Sequence, residues 1–379
     1  MVLTSSFAPR YSRLKRYLGL CLVFCLSLSL AACSGNDEES QEVSTPSYPP
    51  LQALGQITVT IGQFLDFAAT NDRLYVAAGF DGLRIIDTRD LMSPRQVGAV
   101  PQPTSGGNDQ VVAVAVTAST LVVSVYPGCS GFCQLSRGEL RFYDLASPNE
   151  PRYLATLSTA AYAFAVDGST VFALGPPSGF SSGSSVSILR AIDVSTPSSP
   201  RLLSTIDVAN ARRLVKQGNR LILGFSERLG GSPGLQVVDV ANPSTPAIVD
   251  VLGTPSLDFG TNDVVADSDA IFSASGTAEI RSYSTTGPLV SPITTPLTYN
   301  ASGVALSGSL LLVSQADSGV AVFRRGAGGS VSLQTSFSVD GVSLAVATLP
   351  GYGVARVAEV RASGTLIRPE RLVFFALPR

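Results

Sequence analysis

The 379 residues hold 26 Lys and Arg, 28 Asp and Glu, and neither His nor Trp. Without His there is no Ser-His-Asp triad, no Cys-His pair, no His-ligated metal and no histidine base. Only 14% of the residues are charged, and 35 Gly and 24 Pro punctuate the chain, a composition suited to many short strands and tight turns rather than to disorder.

At the N-terminus, Arg10, Arg13, Lys15 and Arg16 precede an apolar run from Tyr17 to Ala32. A basic segment, a short apolar core and a small-residue end read as a secretory signal peptide over residues 1–32, too short for a spanning helix. The run ends Leu30-Ala31-Ala32-Cys33, which resembles the lipobox of bacterial lipoproteins. The resemblance implies diacylglyceryl transfer to Cys33, cleavage before it and acylation of the new terminus, hence firm anchoring by several acyl chains. An ordinary signal peptide with an incidental Cys, or an uncleaved anchor, is the alternative. Ser34 follows where Asp would favour inner-membrane retention in that family, so the resemblance points to the outer membrane of the bacterial envelope. Removal of residues 1–32 leaves 22 basic and 28 acidic side chains, net −6, with no basic face for nucleic acid. Cys33 and the polar, acidic stretch that follows it form a lipidated tether over residues 33–50, expected to be disordered and to span about 20–25 Å.

Residues 51–379 form the remaining domain. Leu65–Val100 holds four short apolar runs separated by Asn-Asp, Gly and Asp-to-Pro breaks, the pattern of strands joined by tight turns. The unit recurs: GLRIIDTRDLMSP (Gly82–Pro94) returns as GELRFYDLASPNEP (Gly138–Pro151), SILRAIDVSTPSSP (Ser187–Pro200) and GLQVVDVANPSTP (Gly234–Pro246). A four-strand unit at a period of about 40–50 residues is the mark of a propeller blade. The core of the unit resembles the LVIVD repeat of bacterial and archaeal surface proteins, over these four units and only weakly in the C-terminal third. The resemblance implies an all-β propeller and no particular activity. The WD dipeptide of WD40 blades is missing, since Trp is absent.

In chain order the blades read Phe64–Val100, Val111–Leu157, Tyr162–Val208, Arg213–Leu252, Asp263–Leu297 and Val304–Val339, followed by three strand signals in Val342–Pro378. Leu54–Ile61 looks like the last strand of a blade whose first three are missing. It is expected to complete the C-terminal unit and remove the free sheet edges, giving seven four-stranded blades, with six or eight as alternatives. A two-sheet sandwich array or a β-solenoid would be the other architectures. Both fit the four-strand unit and the matched half-blades less well.

Cys129 and Cys133 lie four residues apart between two strand signals, and in an oxidising compartment such a pair is expected to form a disulfide; a redox pair is the alternative. Asp87, Asp144, Asp193 and Asp239 share one repeat position ahead of a Pro. They read as turn-forming carboxylates rather than as a calcium ring, which needs six to eight oxygens on one ion. Arg84, Arg141 and Arg190 share another position, replaced by Gln236 in blade four, and read as a polar strand face between blades or, alternatively, as a shared anionic site. Between their second and third strands, blades two to four carry insertions, Tyr126–Gly138, Gly175–Ser185 and Ser226–Gly234. Insertions at one equivalent position lie on one face of a propeller, often the binding face; unselected loop drift on a permissive scaffold is the alternative. Tyr126, Phe132, Arg137, Phe180 and Arg228 are the candidate binding residues, being of the types that dominate interfaces.

These features point to a monomeric, non-catalytic binding or scaffold module without cofactor or metal, held by lipid to the membrane and facing another envelope protein or a polysaccharide. The alternative is a propeller enzyme of lactonase, lyase or glycosidase type, with carboxylates or calcium in the central channel. Asp66 and Asp263 are the acids placed near such positions.

Overall fold

The computed structural model describes residues 51–59, 66–100, 109–126, 138–177, 186–225, 234–253, 263–275, 277–285, 288–290, 292–360 and 366–378. All lie in the compact unit Pro46–Arg379. They form seven antiparallel sheets of four strands each.

In six sheets the strand order follows the sequence. Blade one comprises Asp66–Ala69, Arg73–Ala77, Leu83–Asp87 and Arg95–Val100; blade two Gln110–Val116, Thr120–Tyr126, Glu139–Asp144 and Arg152–Leu157. Blade three comprises Ala163–Asp167, Thr170–Gly175, Val186–Asp193 and Arg201–Ala209; blade four Ala211–Gln217, Arg220–Phe225, Gly234–Asp239 and Ala247–Gly253. Blade five comprises Asp263–Ala266, Ala270–Ala274, Glu279–Ser284 and Ile293–Pro296; blade six Gly303–Ser307, Leu310–Ser314, Val320–Arg325 and Val331–Phe337. Blade seven takes Val342–Leu349, Tyr352–Val360 and Leu366–Ala376 from the C-terminus and its outer strand, Ala53–Val59, from the N-terminal side. That strand pairs from Ala53 opposite Phe375 to Val59 opposite Glu370. The expected closure is thus present, and it leaves blade seven with the same four-strand count as the others.

Burial explains why the second and third strands are continuous apolar runs rather than alternating ones. Arg73–Ala77, Thr120–Tyr126 and Leu310–Ser314 are buried at every residue because each blade is covered on both faces by its neighbours. Outer strands such as Arg95–Val100 are only partly covered and turn polar. Seven apolar clusters form the core, one between each pair of adjacent blades. One joins Leu74 and Val76 of blade one to Val354 and Phe374 of blade seven, so the ring is closed by packing as well as by pairing.

The recurrent aspartates make the turn between third and fourth strands. Oδ1 of Asp87, Asp144, Asp193 and Asp239 accepts the backbone N–H two residues on, from Arg89, Ala146, Ser195 and Ala241, at 2.9–3.1 Å. This Asx geometry fixes the chain reversal. The turn then packs on the outer strand of the preceding blade. A Cβ at Gly55 would lie 2.3 Å from the Leu91 carbonyl and one at Gly98 2.1 Å from that of Asn149. At the matching place in blade three, Ser204 Oγ donates to the Pro243 carbonyl at 2.6 Å.

In such a meander the start of the inner strand, the end of the second and the start of the third share one end of the blade. We call this the entry end. The register shows it directly: Ala163 opposes Leu174 in blade three and Ala211 opposes Phe225 in blade four.

Candidate functional site

Two groups of side chains meet at the entry end. The first rings the mouth of the central channel, whose cavity of about 410 Å³ is lined by inner strands of the blades. Pairing places Asp66, Ala113, Ala163, Arg213, Asp263, Gly303 and Ala345 at one equivalent position of the seven inner strands. Four of these are Ala or Gly and leave space, and three carry charge. Asp66 and Asp263 therefore sit where the sequence placed them, with Arg213 as the third member that the sequence reading did not single out.

Both carboxylates are tied to the next blade. Asp66 Oδ2 accepts the Val114 N–H at 3.0 Å, and Asp263 Oδ2 accepts that of Val304 at 3.1 Å, while its Oδ1 takes the Val264 N–H at 3.0 Å. They are densely surrounded by protein yet keep a face toward the channel. Burial pushes Asp66 up to about 6, against the Val114 hydrogen bond and the Arg213 charge, and the Asp263 charge adds slightly to the rise. Asp263 is raised too, again by burial. A carboxyl poised near neutrality can exchange protons at physiological pH. Among the described residues, no group of three or more His, Cys, Asp or Glu could hold a metal ion.

The second group spans blades two to four. Tyr126, the last residue of its strand, stacks on Tyr162 with ring centroids 6.3 Å apart and planes 4° from parallel. The Arg212 guanidinium lies 4.3 Å from the Tyr162 ring centroid, a cation–π distance. Arg212 is exposed and Tyr162 half-buried, whereas Tyr126 and Arg190 are only 6% and 7% exposed. Arg212 and Tyr162 are thus the accessible members of the group, and Tyr126 is covered. Tyr126, the candidate at the start of the blade-two insertion, ends a fully buried strand, and its ring stacks on that of Tyr162. Phe132, Arg137, Phe180, Arg228, Cys129 and Cys133 lie outside the described residues, as do Cys33 and the whole of 1–50. Among the described residues, no helix is long and apolar enough to cross a membrane.

The arginine row lies on a polar strand face, with Arg141, Arg190 and Arg281 buried and Arg84 half-buried. Arg141 pairs with Glu139 and lies 4.0 Å from Asp109; Arg84 reaches Asp81 at 3.9 Å. The row also continues into blade five, where Arg281 bonds Glu279 at 2.6 Å. The sequence reading missed this member, although Glu-Ile-Arg at 279–281 repeats Glu-Leu-Arg at 139–141. Gln236 takes the place in blade four, accepting the Ala209 N–H at 3.0 Å. Arg190 differs: its Nη2 donates to the Pro176 carbonyl at 3.1 Å, and among the described residues Nη1 has no hydrogen-bond partner.

Comparison with known proteins agrees with this architecture. Residues 231–254 match the LVIVD repeat family, so the chain carries an LVIVD repeat in blade four. Among curated proteins, none matches the sequence. Solved structures share the fold at low identity. A chain of the mitotic checkpoint complex is similar at a TM-score of 0.58 and 15% identity, covering 94% of this chain and 99% of that one. The RRP9 WD40 repeats are similar at 0.61 and 10% identity, covering 87% and 99%. U3-55K is similar at 0.61 and 12% identity, covering 88% and 100%. At these identities the likeness concerns the propeller alone.

Proposed function

We propose that this seven-bladed, LVIVD-repeat propeller is a non-catalytic binding or scaffold module of the bacterial envelope, anchored through lipid on Cys33 in the outer membrane and engaging an envelope protein or polysaccharide. The observation that carries the reading is the shared placement of its distinctive features. The second-to-third-strand connections of blades two to four, lengthened in sequence, depart from the entry end. There Tyr162 and Arg212 also meet, over the buried Tyr126. Aromatics and Arg at a permissive loop face are what recognition by a propeller uses. The test is crosslinking in cells and affinity capture of the lipidated protein, beside a variant whose three insertions are shortened to blade-one length. Capture of one envelope component by the wild type and its loss in the folded variant supports the reading. Equal capture by both, or none by either, counts against it.

The enzyme alternative draws on one observation, the Asp66 carboxyl poised near 6 at the channel mouth. Against it, the channel carboxylates are already held by backbone N–H groups of the next blade, and Arg213 adds opposite charge beside them. Hydrolysis of chromogenic glycosides or lactones by the wild type, lost in Asp66→Asn, would move the assignment to that class.

A further inference from the structure

The fold needs no charge at the inner-strand position that rings the channel mouth. Blades two, three, six and seven fill it with Ala113, Ala163, Gly303 and Ala345. Asp66, Arg213 and Asp263 replace them in blades one, four and five, and all three line the cavity of about 410 Å³ there. A space of that size at an open channel mouth takes a small ligand. The three charges do not satisfy one another. Arg213 is exposed, and among the described residues its one hydrogen bond goes to the Arg212 carbonyl at 3.4 Å, with no ion pair to either carboxylate. Backbone N–H groups of the next blade fix both aspartates, and each carboxylate keeps lone pairs for further donors. Arg356, also in the wall, is by contrast matched by Glu370 at 2.8 and 3.1 Å. The cavity therefore presents one positive charge against two negative, a net of −1.

That set of charges selects a ligand. Arg213 repels a metal ion, the carboxylates repel an anion, and a neutral sugar leaves all three charges without a counter-ion. A zwitterion matches Arg213 and one aspartate, and the other aspartate then calls for a second cation on the same molecule. Arg213 and Asp263 stand on neighbouring blades, which suits a carboxylate and an ammonium that share one carbon. Asp66 stands three blades from each, which suits a cation at the end of a side chain. Leu214 and Leu344 in the wall offer apolar surface to the methylenes between. We infer that the channel mouth binds a free basic amino acid, its α-carboxylate on Arg213, its α-ammonium on Asp263 and its side-chain cation on Asp66. The site is separate from the loop face of the binding-module reading and does not depend on it.

The experiment is calorimetry on the full chain in detergent, with L-lysine as probe. Cadaverine lacks the carboxylate, 6-aminohexanoate the α-ammonium and norleucine the side-chain ammonium, and each binds at least tenfold more weakly than lysine. Arg213→Gln weakens lysine at least tenfold and does not weaken cadaverine, a split that loss of folding would not give. Lysine binding also strengthens as pH rises from about 5 to 7, because a cation favours the ionised form of Asp66, which titrates at about 6 in the free protein. The charged groups facing Asp66 are Arg213 and Asp263, the second also raised by burial, and neither lysine nor Arg213 titrates in that range. Asp66→Asn keeps an oxygen for the Val114 N–H and reduces both the affinity and its rise with pH. No binding of lysine, binding of any of the three analogues as tight as that of lysine, or lysine affinity unchanged in Arg213→Gln or in Asp66→Asn would overturn the inference.

Discussion

The carboxylate of Asp66 in blade one accepts the backbone N–H of Val114 in blade two, and the same bond recurs between Asp263 and Val304, four blades further round. An inner-strand aspartate is therefore an inter-blade clamp as well as a channel group. The clamp holds a charge where burial opposes it, so its cost depends on pH.

For Asp66 the ordinary value is 3.8 and the folded value about 6. The folded state holds this proton more tightly than the unfolded state, so stability is highest while the group is protonated and declines as pH rises from about 4 through 6. A shift of this size corresponds to at most about 3 kcal/mol, less with water in the channel. Asp87, Asp144 and Asp193 act in the opposite sense. The side-chain bond from Arg89 lowers Asp87, and backbone N–H groups lower the other two. Their contribution is present above about pH 4 and lost below it. Melting temperature should peak at about pH 4–5, and Asp66→Asn should flatten the decline between pH 4 and 6. A maximum at pH 7–8 in calorimetric scans would contradict this account.

Gly98 offers a steric test of inter-blade packing. With a Cβ only 2.1 Å from the Asn149 carbonyl, Gly98→Ala forces the blade-two turn outward. The expected loss is about 1–3 kcal/mol in urea unfolding. An unchanged midpoint would mean that the turns do not set blade spacing.

Asp87 and Asp239 share a turn role but not an environment. Arg73, itself 6% exposed, pairs with Asp87 at 3.2 Å and sends Nε to Asn149 of blade two at 2.9 Å. Asp87→Ala strands part of that buried guanidinium and should cost about 3 kcal/mol. Asp239→Ala removes an exposed Asx bond and should cost less. Equal losses in denaturant titrations would show that the turn, rather than the Arg73 network, accounts for the Asp87 effect.

Much of this fold is written in the residues. The Asp-to-Pro turns and the run from Leu83 to Asp87 recur closely enough to count blades, and the unmatched strand at Ala53–Val59 foretells the closure. The Asp66 and Asp263 placements follow from their offset ahead of each second strand, and the same offset would have found Arg213. Tyr162 and Arg212 were not legible. Each precedes or begins an inner strand without any repeated signal, and they meet only because blades three and four are neighbours. Tyr126 closes the apolar run Leu121–Tyr126 and also opens the insertion; the structure makes it the last residue of its strand, paired with Gln110. Arg190 looked like its fellows in the row, and only Ile188, where blades two and five carry Glu139 and Glu279, separates it.

The central claim is that recognition runs through the entry end. The most direct measurement is site-specific photo-crosslinking in cells from Ser158, which follows the outer strand of blade two at that end, beside Asn219, in the turn between the first two strands of blade four at the other. The account predicts a discrete crosslinked envelope component from Ser158 and none from Asn219. Crosslinks from Asn219 alone, or equally from both, would contradict it.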